Sequence, residues 1–410
     1  MTPASRRTPR LPIAAQPDSV ATAPTLDVLE PRLLLSAGQT YVVDSLADVV
    51  ADDGLITLRE AIEAANTNQQ VHDAPAGSAT DMDTIEFDPE LFSSGLESVV
   101  LDGSALEITD NLEIVGPGRD LLKIDADMRS GAMVIEENAT ASLSGMEITR
   151  GSEHGVDCQN GSHLTMTNAI VSHSYHDYAG GGIHGDHATI ILHNVSIKEN
   201  HARSETGGIY LWYSDATITD CIIENNTSRS YAGIKTVRST ISIIESTFSG
   251  NSASSSCSGV HVEYSLAFIG NTLFLDNSSD NWSGAISSAY SQTYMSNTVL
   301  QGNSIASSGS LISVEDSDVF CDNLTAAGNS APEGFFVRLW EYNDPSQFVM
   351  NNSIIYDGDM LEPVYGSWSG HNNIIGVDPG FADTPTPGPD GQWGTADDHL
   401  GGLHLAPTSP

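Results

Sequence analysis

Basic residues, cysteines and long apolar runs are all scarce in this sequence of 410 residues. Its 15 Lys and Arg residues stand against 54 Asp and Glu residues, which gives a formal net charge of −39. A chain this acidic repels phosphate backbones and anionic membranes, so we expect it to bind neither nucleic acid nor an anionic membrane. Four cysteines are too few to staple a chain of this length, and no disulfide is predicted. No run of 18 apolar residues occurs, so no transmembrane segment is predicted.

The strongest feature that is present is self-similarity with a period of 25 or 26 residues. Two columns of asparagine, or of an acidic substitute, keep step with this period. The first column is Asn168, Asn194, Asp220, Glu245, Asn271, Asn297 and Asn323, and the second is Asn200, Asn226, Asn251, Asn277, Asn303 and Asn329. A fixed period of this length over many units is typical of solenoid proteins.

The composition inside each unit indicates strands and turns. Runs such as ATITD and STISI are short and β-branched, no helical period fits them, and Gly, Asn and Ser separate them. Successive coils would pair each strand in parallel with its copy. The sequence therefore predicts an all-β fold, a right-handed parallel β-helix with three-strand coils of about 26 residues. The alternative, a β-sandwich with accidental periodicity, fits the regular columns less well.

Four regions are predicted along the chain. They are a flexible N-terminal export-type segment (1–39), an N-terminal cap with irregular first coils (40–130), the β-helix repeats (131–378) and an acidic tail rich in Pro, Gly and Asp (379–410). The cap contains one predicted amphipathic helix, in ITLREAIEAANTN, which would cover the open end of the solenoid.

Local signals define that helix. Thr57 and Glu60 form a predicted capping box, and Leu58, Ile62 and Ala65 share one face.

Three segments carry a resemblance to known families. ITLREAIEAANTN resembles the CSLREA-type segment that precedes β-helices in large bacterial surface proteins, although the usual cysteine is missing. LEPRLLLSA, from Leu29 to Ala37, resembles the LEPR-XLL segment of very large exported bacterial proteins. The tail after DPGF resembles the segment that follows such β-helices, and the repeats resemble the pectate-lyase-like superfamily in architecture. The resemblance implies a bacterial protein that is extracellular or at the cell surface, but it specifies no reaction, because the fold serves adhesins, lyases and hydrolases.

One face of the predicted β-helix carries a concentration of polar and aromatic residues. In the strands that follow the repeated glycines, the outward positions are predicted to be His184 and Asp186, Tyr210 and Trp212, Lys235 and Val237, and His261 and Glu263, with Arg238 beside them. The next two coils would place Ile286 and Ser288, then Ile312 and Val314, at these positions, so that the polar strip would end there.

Carbohydrate binding is the leading functional hypothesis. Sugar rings have apolar faces rimmed by hydroxyl groups, which suits exposed aromatic residues beside polar ones. Tyr210, Trp212, Asp186 and Glu263 are the predicted substrate-binding residues, and the partner would be a polysaccharide or a cell-surface glycan. The structural alternative is that these aromatic residues cover a sheet face or pack under loops. A further alternative is a stalk within a larger surface protein.

A polysaccharide lyase or glycoside hydrolase that uses the same strip is the second functional hypothesis. A lyase needs a base and a cation beside a uronate, roles for which Lys235, Arg238, His184 and His261 are candidates. A hydrolase needs two carboxyl groups about 5 to 9.5 Å apart, and Asp186 and Glu263, three coils apart, are predicted to be about 14 Å from each other, which is too far. Asp186 with Asp177 or Glu205 is the alternative pair. No catalytic motif of a known family is present, and lyase chemistry is favoured over hydrolysis.

Calcium is the predicted cofactor if the protein has one. PDGQWGTADD places Asp390, Asp397 and Asp398 among glycines, in the oxygen-rich, flexible kind of loop that calcium favours. A solvated acidic tail is the alternative. Eight of the 13 histidines lie between His154 and His201, where we predict histidine-rich turns rather than a metal site.

Overall fold

The computed structural model describes residues 38–307, 309–331, 335–356, 361–363, 366–386, 399 and 402–407. All of them belong to one unit, Ala37–Pro410, and the remaining unit is Met1–Ser36. The described chain is a right-handed parallel β-helix of about 10 turns with a single α-helix, which confirms the predicted fold class.

Each coil contributes strands to three faces of the β-helix. In the first face, the strands are Thr40–Val43, Asp83–Phe87, Leu112–Val115, Thr140–Ser144, His163–Ser172, Thr189–Lys198, Asp215–Thr219, Thr240–Ile244, Leu266–Gly270, Gln292–Ser296, Asp318–Asp322, Gln347–Asn351 and Ser367–His371. The second face shares the two long strands His163–Ser172 and Thr189–Lys198 with the first. Its other strands are Glu97–Val100, Leu122–Asp125, Glu147–Thr149, Ile222–Glu224, Thr247–Ser249, Leu273–Leu275, Val299–Gln301, Thr325–Ala327, Ile354–Ile355 and Ile374–Ile375.

The third face is a separate parallel sheet. Its strands are Leu106–Ile108, Met133–Ile135, Val156–Cys158, Ile183–Asp186, Ile209–Trp212, Ile234–Val237, Val260–Glu263, Trp282–Ala289, Gly309–Glu315, Phe335–Trp340 and Leu361–Pro363. Between the second and third faces lies a corner strip of two-residue strands, Tyr175–His176, His201–Ala202, Thr227–Ser228, Ser252–Ala253, Ser278–Ser279 and Ser304–Ile305. A 3₁₀-helix, Pro89–Phe92, and an antiparallel pair, Phe381–Asp383 with Gly402–Leu405, complete the described elements.

Alternation of side chains along each strand fills the core. Residues of one column lie directly above one another, as in the stacked rings of Phe248 and Phe274, whose centroids are 4.8 Å apart. This distance matches the spacing between hydrogen-bonded strands, about 4.8 Å. All four cysteines lie in the described chain, where they are buried and free, and Cys221 is part of the core.

The two asparagine columns have different structural roles. Members of the first column take left-handed backbone conformations, with φ between 48° and 57°, in the turn between the first and second faces. Asparagine adopts this conformation more readily than most residues. Members of the second column are buried and form an amide ladder, in which Asn226 Nδ2 donates to Asn251 Oδ1 over 3.0 Å and Asn251 Nδ2 to Asn277 Oδ1 over 2.9 Å.

The α-helix Leu58–Thr67 forms as its local signals predict. Thr57 and Glu60 make both hydrogen bonds of the capping box, and Leu58, Ile62 and Ala65 are buried. The helix ends at Asn68, which has a left-handed conformation.

Arg59 joins this helix to its surroundings. Its Nε and Nη2 atoms lie 2.8 Å from the two carboxylate oxygens of Asp48, and its guanidinium also donates to the carbonyls of Ser104 and Ala105. The LREA segment therefore has a structural role in this chain, and the helix is fixed to a coil that follows it.

The residues predicted to point outward in the next two coils are wrong by one position along the strand. Aligning Gly284 with the repeated glycines of the preceding coils, such as Gly259, leads to Ile286, Ser288, Ile312 and Val314 as outward residues, but all four are buried. The partner of Gly259 in the stack is Ala285, since Val260 pairs with Ile286. A shift of one residue reverses every side chain of a strand, so Ser287, Ala289, Ser313 and Glu315 are the outward residues.

Candidate functional site

The predicted outward residues of four coils do form columns on the third face. His184, Tyr210, Lys235 and His261 are successive partners in the parallel register. The expectation that this column is open to solvent is wrong, because the relative exposure is 7% for Tyr210, 8% for Lys235 and 6% for His261. Side chains from the neighbouring turns cover it, as shown by Tyr231, whose ring stacks on His261 at 4.2 Å.

The second outward column is partly open. Asp186, Trp212, Val237 and Glu263 are its successive members. Trp212 is 37% exposed and the side chain of Asp186 is 46% exposed, whereas Val237 is buried against Tyr210. Of the two aromatic side chains at positions 210 and 212, only the tryptophan is therefore accessible.

The charge of Lys235 is compensated inside the protein. Its Nζ atom lies 2.6 Å from Glu205 Oε2 and 3.3 Å from Glu263 Oε2. The same atom is 4.6 Å from the ring centroid of Tyr231, a cation–π distance. A lysine held in this way is not free to neutralise the carboxylate of a uronate.

Glu263 and His261 complete this buried cluster. The imidazole of His261, 3.7 Å away, and the Lys235 ammonium lower the pKa of Glu263 to about 2. Burial lowers the pKa of His261, and the charge of Lys235 lowers it further. Glu263 therefore stays ionised at neutral pH, whereas the general acid of a glycosidase must stay protonated.

A stack of four rings lies beside this cluster, at the end nearer the N-terminus. The ring centroids are 4.0 Å apart for His176 and His154, 4.8 Å for His154 and His184, and 5.7 Å for His184 and Tyr210. Burial, followed by the imidazoles of His184 and His176, lowers the pKa of His154 to about 4. The His154 imidazole is therefore neutral over the physiological pH range.

Hydrogen bonds fix the tautomers of two of these histidines. His154 Nδ1 is 2.7 Å from the carbonyl oxygen of Gly180, which can only accept a hydrogen bond, so Nδ1 carries the proton. His184 Nδ1 is 2.7 Å from Asp157 Oδ1. Although burial raises the pKa of Asp157, the hydrogen bond from His184 brings it below the usual value, so the carboxylate is the acceptor.

A second ring stack lies on the surface, in the turn between the third and first faces. We call His187, Tyr213, Arg238, Tyr264 and Tyr290 the turn ladder. The Arg238 guanidinium lies between two rings, 5.4 Å from the centroid of Tyr213 and 5.5 Å from that of Tyr264. The Tyr264 and Tyr290 centroids are 4.7 Å apart. Tyr213 is 40% exposed and Tyr264 is 48% exposed.

A groove runs along the turn ladder. It consists of two adjoining cavities of about 370 and 440 Å³, which share Tyr264, Ser265 and Leu266. The other lining residues are Tyr213, Asp215, Arg238, Ser239 and Thr240 in the first cavity, and Tyr290, Ser291, Gln292, Asp316, Ser317, Asp318, Asp344 and Pro345 in the second. From Tyr213 to Asp316 the groove crosses four coil steps, about 19 Å.

A further aromatic patch lies on the first face. Phe268, Tyr294 and Phe320 stack on one another with centroids 5.4 and 5.0 Å apart. Phe268 and Tyr294 are 41% and 38% exposed. This patch differs from the turn ladder because its surroundings, such as Ile244 and Met295, are mostly apolar and offer few hydrogen-bond partners to a sugar.

Two sets of functional candidates escaped the sequence analysis. Tyr213, Tyr264 and Tyr290 keep the repeat period, but Tyr213 and Tyr264 lie one residue, and Tyr290 two residues, beyond the strand positions that were aligned. His154 and Asp157 lie in an irregular early coil, where the step from Asp157 to His184 is 27 residues. The predicted calcium ligands Asp390, Asp397 and Asp398 lie outside the described residues, as does Leu29 of the LEPR-XLL-like segment. In the described part of the chain, every helix is too short or too polar to span a bilayer.

Comparison with known proteins identifies the β-helix region. Residues 122–281 match the family model for the right handed beta helix region. The chain is similar to pectate lyase Pel9A, with 13% identity over 91% of this chain and 90% of that one, and a TM-score of 0.43. It is also similar to the pectin methylesterase from Aspergillus niger in deglycosylated form, with 10% identity over 73% of this chain and 79% of that one, and a TM-score of 0.23. None of the curated proteins matches the sequence.

Proposed function

We propose that the protein is a carbohydrate-binding β-helix protein, extracellular or at the cell surface, which holds a neutral polysaccharide along the turn ladder. The observation that supports this proposal best is the groove of about 19 Å, because exposed tyrosines lie along it together with hydroxyl and carboxylate groups. Tyrosine offers a sugar both apolar ring surface and a hydroxyl, and carboxylates accept hydrogen bonds from sugar hydroxyls.

Charge is the reason for proposing a neutral glycan. Arg238 is the one cationic residue among the described residues that line the groove, and it stands against the carboxylates Asp215, Asp316, Asp318 and Asp344. The net charge of the whole chain is −39. A polyuronate would be repelled both by the carboxylates in the groove and by the net negative charge of the whole protein. A neutral polysaccharide would be repelled by neither.

Catalysis receives less support from the same structure. Among the candidate catalytic residues, Lys235 and His261 are buried, and Arg238 lies between two tyrosine rings. A lyase that uses Lys235 would first have to release it from Glu205 and Glu263. Hydrolysis is disfavoured by the depressed pKa of Glu263.

A glycan-binding assay with two matched variants tests the proposal. Tyr264→Asn removes the ring at the centre of the groove and keeps a residue that tolerates the left-handed turn. We expect affinity for a neutral polysaccharide to fall about tenfold or more, since an aromatic contact contributes on the order of 1–2 kcal/mol. Tyr294→Thr removes a similarly exposed ring from the first face and should leave binding unchanged.

Three outcomes would overturn all or part of this proposal. Absence of binding to every neutral glycan on an array would favour the stalk hypothesis. Equal losses of affinity in the Tyr264 and Tyr294 variants would show that the groove is not the glycan-binding site. Cleavage of an acidic polysaccharide into unsaturated, ultraviolet-absorbing products, abolished by Lys235→Ala, would establish the lyase hypothesis instead.

A further inference from the structure

His154, His184 and Asp157 lie close together, and none of the three lines the groove. One ligating atom from each of the three lies within 4.8 Å of the ligating atoms of the other two. Their side chains lie at the border of the buried region, with exposures of 24% for His184 and 19% for Asp157. The three residues come from two neighbouring coils and are therefore brought together by the winding of the β-helix.

The hydrogen bonds of the two histidines leave the same atom available on each ring. Nδ1 of His154 donates to Gly180 and Nδ1 of His184 lies against Asp157, so in the neutral form of each imidazole the lone pair is on Nε2. An imidazole whose other nitrogen is held by a backbone carbonyl or a carboxylate is the usual form of a metal-ligating histidine. His176 and Tyr210 stack on the outer sides of this pair.

We propose that these residues bind one divalent transition-metal ion of the zinc class, with His154 and His184 as imidazole ligands and Asp157 as the carboxylate ligand or hydrogen-bonded support. Two imidazoles and one carboxylate suit zinc better than calcium or magnesium, which prefer oxygen. Tetrahedral zinc with bonds of about 2.1 Å holds its ligand atoms about 3.4 Å apart. The three ligating atoms lie within 4.8 Å of one another, so binding zinc requires the three side chains to move closer together.

Zinc binding to the full-length protein, freed of metal by a chelator, tests this site. We expect calorimetry to show one strong site per chain, and Co²⁺ in its place should give the intense visible absorption of a tetrahedral ion. His154→Gln and His184→Gln should each weaken binding at least 100-fold. Asp157→Asn should weaken it by about 10- to 100-fold.

A matched control is available in the same coils. His187 is also paired with a carboxylate, that of Asp186, at 2.6 Å, but it lies in the exposed turn ladder, where its ring stacks on Tyr213. His187→Gln should bind zinc as the unaltered protein does. Circular dichroism would verify that each variant is folded. The proposal is overturned if the unaltered protein binds no zinc, or if the His154 and His184 variants bind it as tightly as the His187 variant does.

Discussion

The side chain of Asn251 makes hydrogen bonds to the coil before its own and to the coil after it. Its Nδ2 group donates to the carbonyl of Ile223 and to Asn277, and its Oδ1 atom accepts from the backbone and side-chain amides of Asn226. None of these groups can reach water, because the column is buried. A buried polar group that loses its partner costs about 1–3 kcal/mol.

Replacing this residue tests the ladder. Asn251→Ala leaves several buried groups without partners, so we expect the free energy of unfolding to fall by about 2–4 kcal/mol in urea denaturation. Asn297→Gly is the matched control, since Asn297 lies in an exposed left-handed turn that glycine adopts easily. It should change stability by less than about 1 kcal/mol. A similar loss in both variants would contradict a specific role for burial.

His261 makes stability depend on pH. Lys235, Glu205, Glu263 and Tyr231 surround it, and burial lowers its pKa. Below about pH 6.5 the unfolded chain binds a proton at this residue that the folded chain does not. Stability should therefore fall as the pH drops from 7 to 5.

A non-titrating variant isolates this effect. His261→Gln should show a shallower loss of stability between pH 7 and 5, measured by urea denaturation at each pH. The contribution of Glu263, whose pKa is about 2, is present above about pH 4.5 and is lost only as the pH falls toward 2, so the two effects occupy different ranges. Parallel pH profiles for the variant and the unaltered protein would contradict the assignment to His261.

At the scale of elements, local signals predicted more than non-local ones. The capping box of Leu58–Thr67 depends on residues three apart, and it formed as expected. The register of Ile183–Asp186 through Val260–Glu263 followed from the period, since each coil repeats the preceding one. The cover over Tyr210 and Lys235 was not predictable in this way, because it depends on how turns of irregular sequence, such as those carrying Glu205 and Tyr231, fold across the face.

Arg59 fixes the helix, and its replacement should loosen that element alone. Arg59→Lys keeps the positive charge but cannot form the paired hydrogen bonds to Asp48, nor all of those to the carbonyls of the next coil. We expect the amides of Leu58–Thr67 to exchange with deuterium at least tenfold faster, with little change in Ile234–Val237. Arg203→Lys, at an exposed pair 3.9 Å from Asp177, should leave both segments unchanged.

At the scale of the whole molecule, repetition explains which parts of the structure were predictable. Any two successive coils pack alike, so a period and a strand pattern define the core without knowledge of distant contacts. The functional surfaces arise where the coils differ. Tyrosines occupy the turn ladder in only some coils, and the first coils depart from the 26-residue step, so the period alone reveals neither the groove nor the histidine site.

Removing one complete coil tests this modular organisation. Deletion of residues 277–302 joins the chain at equivalent points, because Asn277 and Asn303 are 26 residues apart and occupy the same place in successive coils. We expect a folded protein whose thermal midpoint is lower by only a few degrees, since each coil contacts mainly its neighbours. Deletion of residues 277–289 uses the same starting point but removes the third-face strand Trp282–Ala289 and leaves the first-face strand Gln292–Ser296. That chain cannot close its coil, so circular dichroism should show no cooperative unfolding transition. If the complete-coil deletion unfolds as badly as the partial one, stability depends on contacts beyond neighbouring coils.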